Sequence, residues 1–220
     1  MNAQQKMDQV LENQNLDQAF ELMAHKDFLA AEEELNEGLA DAKFQEDANL
    51  EAVFYSAFGV LSKLKKDYQK AWEYYEAAEK ILPNDPSLKL IVARLGLDIF
   101  GQTDSVIRRC KKVLEIASQD SEYCHQALTI MGIAYLNKGE RHQAIRCLHQ
   151  VMEAGFEDLS SANYIDLKLV EELIKKRVGL EDCRQYLELA LVFAKNRQEE
   201  KHIELYSRLL DAFSPEEVTE

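Results

Sequence analysis

Glycine and proline are scarce, at 8 and 3 of 220 residues. A sheet protein of this size turns often, and its turns draw on glycine, proline and asparagine, so this composition argues against an all-β chain. Positive charge is also short: 26 Lys+Arg stand against 40 Asp+Glu, a formal net charge of −14. Such a chain is repelled by nucleic-acid phosphates and by anionic lipid, which argues against either as its main partner. Long apolar runs are missing. The longest, Leu189 to Ala194, is far short of the ~20 residues that span a bilayer. The opening MNAQQKMDQV holds no apolar stretch of the kind a secretion signal needs, and no cysteine lies near it to carry a lipid. The four cysteines, Cys110, Cys124, Cys147 and Cys183, form no CxxC pair. That fits free thiols in a reducing compartment, so the expected location is the cytoplasm.

What remains is apolar material for a core, 46% of residues, with 30% charged residues to solvate it. Abundant Ala, Leu, Glu and Lys favour helix over strand, and the repeat signal agrees. In DYQKAWEYYEAAEKILPND, Asp67 to Asp85, the residues Tyr68, Ala71, Tyr74, Tyr75, Ala78, Ile81 and Leu82 recur at helical spacing. Pro83 and Pro86 then stop the helix. Glu51 to Leu64 carries a second helical pattern with Tyr55, Phe58, Gly59 and Leu61. The polar turn Lys65–Asp67 joins the two as an antiparallel pair.

Residues 52–85 resemble a tetratricopeptide repeat, whose pattern is W-x2-L-G-x2-Y, then A-x3-F, then P. Here it reads Tyr55-x2-Phe58-Gly59-x2-Ser62, then Ala71-x3-Tyr75, then Pro83, with Ser62 in place of the usual aromatic. Residues 125–158 repeat it as Leu128-x2-Met131-Gly132-x2-Tyr135 and Ala144-x3-Leu148. Weaker copies cover 12–45, 86–120 and 164–197; in the last, Glu171 stands where a small residue is expected. One column links all five: Ala31, Ala71, Val106, Ala144 and Cys183, each a small residue where two helices cross. Residues 198–213 form one more amphipathic helix, with Ile203, Tyr206, Leu209, Leu210 and Phe213 on one side, suited to cap the array. Residues 1–11 are a helical extension or disordered, and 214–220 a frayed tail.

The resemblance implies an all-α, right-handed superhelical solenoid of antiparallel helix pairs, with first helices lining a concave groove. Its groove places fall here on Leu16, Phe20 and Met23, then Val60 and Leu64, then Leu90 and Arg94, then Ile133, and finally Lys168, Lys175 and Lys176. The first four repeats offer an apolar groove and the fifth a lysine island. Such a surface suits a protein or peptide segment that is amphipathic with an acidic end. The alternatives are self-filling by the segment around Met7, Val10 and Leu11, or burial in a homodimer. The family's two-carboxylate clamp is absent: its places hold Leu16, Phe20, Ala57, Ser87 and Ile91. The implied function is a non-enzymatic adaptor or scaffold. Its rivals are a secretion-type chaperone for an exported protein and a structural subunit of a fixed assembly.

Other chemistry is thin. No Gly-rich phosphate loop, G-x-S-x-G elbow or HExxH occurs, so neither an enzyme nor a cofactor is expected. His142, Cys147 and His149, with Cys124–His125 nearby, are the best zinc candidates. Cys147 and His149 point to different helix faces, however, and the two histidines alone are two ligands rather than four. Cys110, Cys147 and Cys183 sit at apolar positions and read as core residues. Arg108, Arg109, Lys111 and Lys112 form a basic run on a second helix, read as a solvated outer face or an accessory docking patch.

Overall fold

A computed structural model describes residues 13–213. The expected N-terminal extension, with Met7, Val10 and Leu11, and the tail 214–220 lie outside the described residues. Among the described residues eleven α-helices follow one another: α1 (Gln14–Ala24), α2 (Phe28–Phe44), α3 (Ala48–Leu64), α4 (Tyr68–Ile81), α5 (Pro86–Asp98), α6 (Thr103–Ile116), α7 (Ser121–Asn137), α8 (Arg141–Ala154), α9 (Lys168–Lys175), α10 (Leu180–Asn196) and α11 (Glu200–Asp211). A 3₁₀ turn, Ala162–Tyr164, precedes α9. No strand occurs among the described residues. The chain divides into two compact units, residues 1–95 and 96–220, and the boundary falls within α5.

Five of the described helices begin on side-chain caps. Asn13, Asp27, Asp47, Asp67 and Asp120 each accept a hydrogen bond from a backbone N–H of the first turn. Each satisfies one of the donors a helix start leaves unpaired. The ends use a left-handed residue and a wide backbone bond. Lys26, Glu46 and Lys66 have positive φ, and the next residue's N–H reaches back to Leu22, Ala42 and Ser62 at 2.9, 3.0 and 2.8 Å. Gly139, Arg177 and Gln198 repeat the arrangement in the second unit, closing on Tyr135, Leu173 and Ala194. Of these six turns only that at Gly139 uses glycine, so the others bear the strain of a side chain at positive φ. This is how a glycine-poor chain makes tight helix–helix turns.

In the first unit α1 packs on α2, α2 on α3 and α3 on α4, while α1 also touches α3. The core runs through Ala19, Met23, Ala31, Leu35, Ala42, Leu50, Phe54, Ala57, Phe58 and Leu61. Backbones approach closely where side chains are missing. A Cβ at Gly38 would overlap the Phe54 ring, and one at Gly59 would lie 2.7 Å from the Tyr75 ring. A second patch joins Ala52, Ala78 and Leu88, flanked by Tyr55, Ile81 and Leu82. Beside it Lys89 and Glu79 form a largely buried ion pair at 3.0 Å. Such a pair repays little of its desolvation, so it contributes more to register than to stability.

In the second unit α6 packs on α7, α7 on α8, α9 on α10 and α10 on α11; α7 also meets α9, and α8 meets α10. Neighbouring first helices and neighbouring second helices therefore touch, as stacked helix pairs require. All five crossing residues, Ala31, Ala71, Val106, Ala144 and Cys183, are fully buried. α11 covers α10 through Tyr206, which is 1% exposed.

Candidate interaction surfaces

The groove residues expected from sequence divide by accessibility. In the first unit Leu16 and Val60 are half-buried against the core cluster. Phe20 on α1 and Leu64 at the end of α3 are 43% and 49% exposed. Two expected contacts need correction. Met23 and Leu90 are 4% and 5% exposed; their helix faces are used for packing within the unit, which leaves a partner nothing to touch. Arg94 is half-buried. Of the apolar residues expected in this unit's groove, Leu16, Phe20, Val60 and Leu64 keep accessible surface, on two neighbouring first helices.

In the second unit a third correction applies. Ile133 is 8% exposed, and Thr129 and Leu136 beside it are buried as well. α9 also approaches α7 closely: a Cβ at Gly132 would lie 2.5 Å from Leu169 and 3.2 Å from the Cβ of Cys147. Lys168, Lys175 and Lys176 are exposed at the two ends of α9. Lys175 pairs loosely with Glu172 at 3.5 Å. Glu171 is exposed, and the inward positions of α9 are Leu169, Val170 and Leu173.

Residues 155–167 are the element that sequence reasoning overlooks. Phe156, Leu159, Ala162 and Ile165 all turn inward and are buried. His125 on α7 holds the segment: its Nε2 accepts the backbone N–H of Asp166 at 2.9 Å. The ring is 4% exposed, with Phe156 and Tyr186 at 5.9 and 6.4 Å. Burial pushes the imidazole down to about 4, against a smaller opposing pull from the Asp166 carboxylate. The other end is tied to the C-terminal helices. Glu199 accepts the N–H of Ala162 at 3.1 Å, and Arg197 donates to the carbonyl of Ser160 at 2.9 Å. The sequence signal is an apolar residue at every third place across 156–165, outside the repeat frame.

The zinc candidates do not converge. Cys147 is buried, while His142 and His149 are exposed, and His149 bonds Asp182 at 2.6 Å. Among the described residues no group of three or more His, Cys, Asp or Glu could hold a metal ion. Burial pushes the thiols of Cys147 and Cys183 up to about 12. They are protonated core groups. No described helix is long and apolar enough to cross a membrane.

Over 127 residues, 57% of this chain, the sequence is 28% identical to tetratricopeptide repeat protein 21A of Mus musculus and 27% identical to that of Homo sapiens. The chain has the tetratricopeptide-repeat fold. It spans 9% of the length of those relatives. No family model matches it. Among solved structures, BtubC (BKLC) from P. vanneervenii aligns with a TM-score of 0.57 at 18% identity, covering 90% of this chain and 80% of that one. A tetratricopeptide repeat protein from Parabacteroides merdae aligns with a TM-score of 0.54 at 15% identity, covering 86% and 76%. Both show the fold alone.

Proposed function

We propose that this tetratricopeptide-repeat chain is a non-enzymatic adaptor that holds a segment of a protein partner on its first helices. The observation that carries the reading is the patch on α1 and α3, where Phe20 and Leu64 stay 43% and 49% exposed beside half-buried Leu16 and Val60. Single exposed apolar side chains are ordinary, whereas several grouped on one packed helix pair make a surface suited to a partner. The exposed lysines of α9, Lys168, Lys175 and Lys176, offer an acidic segment a separate contact. The two contributions differ in kind. A buried apolar anchor is worth roughly 1.5–3 kcal/mol and is insensitive to salt. An exposed lysine contact is worth about 0–1 kcal/mol and fades with screening.

The test is capture of partners by the full chain in lysate of its native host, at low and moderate salt, read by mass spectrometry. Phe20→Ala loses the partner at both salts. Lys175→Glu with Lys176→Glu weakens capture mainly at low salt. Arg108→Glu with Arg109→Glu on α6 leaves it intact. Retention by Phe20→Ala together with loss on the α6 changes would move the working surface to α6. The identity of the captured protein separates the rivals: one exported client marks a secretion-type chaperone, and a stoichiometric set marks a structural subunit.

A further inference from the structure

The second unit carries a cavity of about 200 Å³ that the repeat packing does not use. Its floor is the ring pair Phe156 and Phe193, edge to face at 6.0 Å and both buried. One wall is the Arg197 guanidinium, 4.8 Å over the Phe193 ring. Two of its N–H groups donate to the carbonyls of Ser160 and Glu157, at 2.9 and 3.3 Å. The mouth is apolar and open: Leu189 and Val192 on α10 are 44% and 55% exposed. A cavity of roughly 150 Å³ admits a benzene ring, so this one takes a single branched or aromatic side chain.

Apart from the exposed Arg197 that forms one wall, the charge of the segment at the mouth is negative. Glu157 lines the cavity, its carboxylate held by the N–H of Phe156 at 3.1 Å. Asp158 and Glu153 are exposed next to it. None of the three has an ion-pair partner among the described residues. The complement is an apolar side chain set among cations.

The chain itself presents one. Leu64 is exposed at the end of α3, flanked by Lys63, Lys65 and Lys66, all exposed. Lys65 is engaged by Glu32 at 2.9 Å, while Lys63 and Lys66 have no ion-pair partner among the described residues. Ile91 also lies near cations, but of these Lys89 is engaged by Glu79, and Tyr68 and Phe44 have both signs beside them in the sequence; several other exposed apolar side chains have acids close by. Phe20 stands between Asp17 and Glu21, Phe44 precedes Glu46 and Asp47, Leu29 follows Asp27, and Ile99 follows Asp98.

We propose that the chain associates with a second copy of itself head to tail. Leu64 of one copy enters the cavity between Val192 and Phe193 of the next, and Lys63 and Lys66 meet Glu153, Glu157 and Asp158. The two halves of the contact are different surfaces, so each copy keeps one of each free and association continues beyond a dimer. The proposal shares Leu64 with the groove reading but not Phe20, so Phe20→Ala, which should lose the partner of that reading and leave self-association intact, tells the two apart.

The experiment is sedimentation of the full chain from about 10 μM to about 1 mM, a span that covers weak association, in about 20 mM and about 500 mM salt. The expected mass rises above 25.3 kDa with concentration, and rises less at high salt. Val192→Asp and Leu64→Asp each hold the mass at the monomer value, with helix content and melting temperature checked by circular dichroism. An equimolar mixture of the two variants restores one intact contact per pair, and so gives a dimer and nothing larger. Phe20→Ala associates as the unaltered chain does. A chain that stays monomeric throughout overturns the proposal and leaves the cavity to a different protein. Association that survives either substitution, or a mixture that yields no dimer, overturns it too.

Discussion

Gly38 is the position where the fold leaves least room. It lies inside α2 and is buried, and a Cβ built on it would overlap the ring of Phe54, which is itself 0% exposed. On an exposed helix face Gly→Ala would stabilise by about 1 kcal/mol, because alanine loses less backbone freedom. Here the added methyl must displace an aromatic ring packed in the first unit's core. Overpacking of that kind costs about 1–3 kcal/mol. The balance makes Gly38→Ala destabilising by about 1–2 kcal/mol, opposite in sign to propensity. Phe54→Ala alone should cost about 3–5 kcal/mol through the cavity it opens. In the double variant the clash is gone, the helix gain returns and the new methyl fills part of the hole. The pair should then lose only about 2–4 kcal/mol, a coupling of about 2–3 kcal/mol.

The single tryptophan makes this measurable. Trp72 lies in α4 and is 8% exposed, so its fluorescence follows the first unit without interference from the second. Urea titrations of the four proteins give the cycle from midpoints at constant slope. A stabilised Gly38→Ala variant, or strictly additive effects, would refute the claim that Gly38 exists to admit Phe54.

Two further predictions concern the second unit. His125 is held neutral in the fold at about 4 against an ordinary value of 6.5, so below pH 6.5 the unfolded chain binds a proton that the folded chain refuses. Stability is lost as pH falls from about 6.5 toward about 4, by about 3 kcal/mol in total, and is unchanged above that window. Tyrosine near-UV circular dichroism during urea titration at pH 7 and pH 4.5 should show the slope, and His125→Gln should remove it. A chain ending at Arg197 loses Tyr206 and the Glu199 bond to Ala162. It should melt lower and associate through the uncovered face of α10; unchanged melting would show that α11 is no cap.

The sequence shows most clearly what the helix crossings demand. A crossing tolerates only small side chains, so Ala31, Ala71, Val106, Ala144 and Cys183 stand out in one column, and all five are buried. Gly59 and Gly132 are legible for the same reason. Gly38 is not, because it lies on a second helix whose constraint comes from Phe54, a residue of the following pair. The turns are hidden by their chemistry: Lys26, Glu46, Lys66, Arg177 and Gln198 take a conformation that usually announces itself as glycine. The site is legible only in part because a periodic pattern cannot tell which neighbour covers a helix face. Phe20 and Leu64 stay accessible, whereas Met23, Leu90 and Ile133, at equivalent places, are packed away. In the second unit the decisive element falls between repeats. Gly155 turns the chain at φ 73°, and the buried residues of 156–165 then follow a period of three that the α-helical period of 3.6 does not match. A repeat frame explains the residues that recur. What distinguishes this chain from other arrays of the same fold lies where the frame breaks, in the segment His125 holds and in the cavity that Phe156 floors.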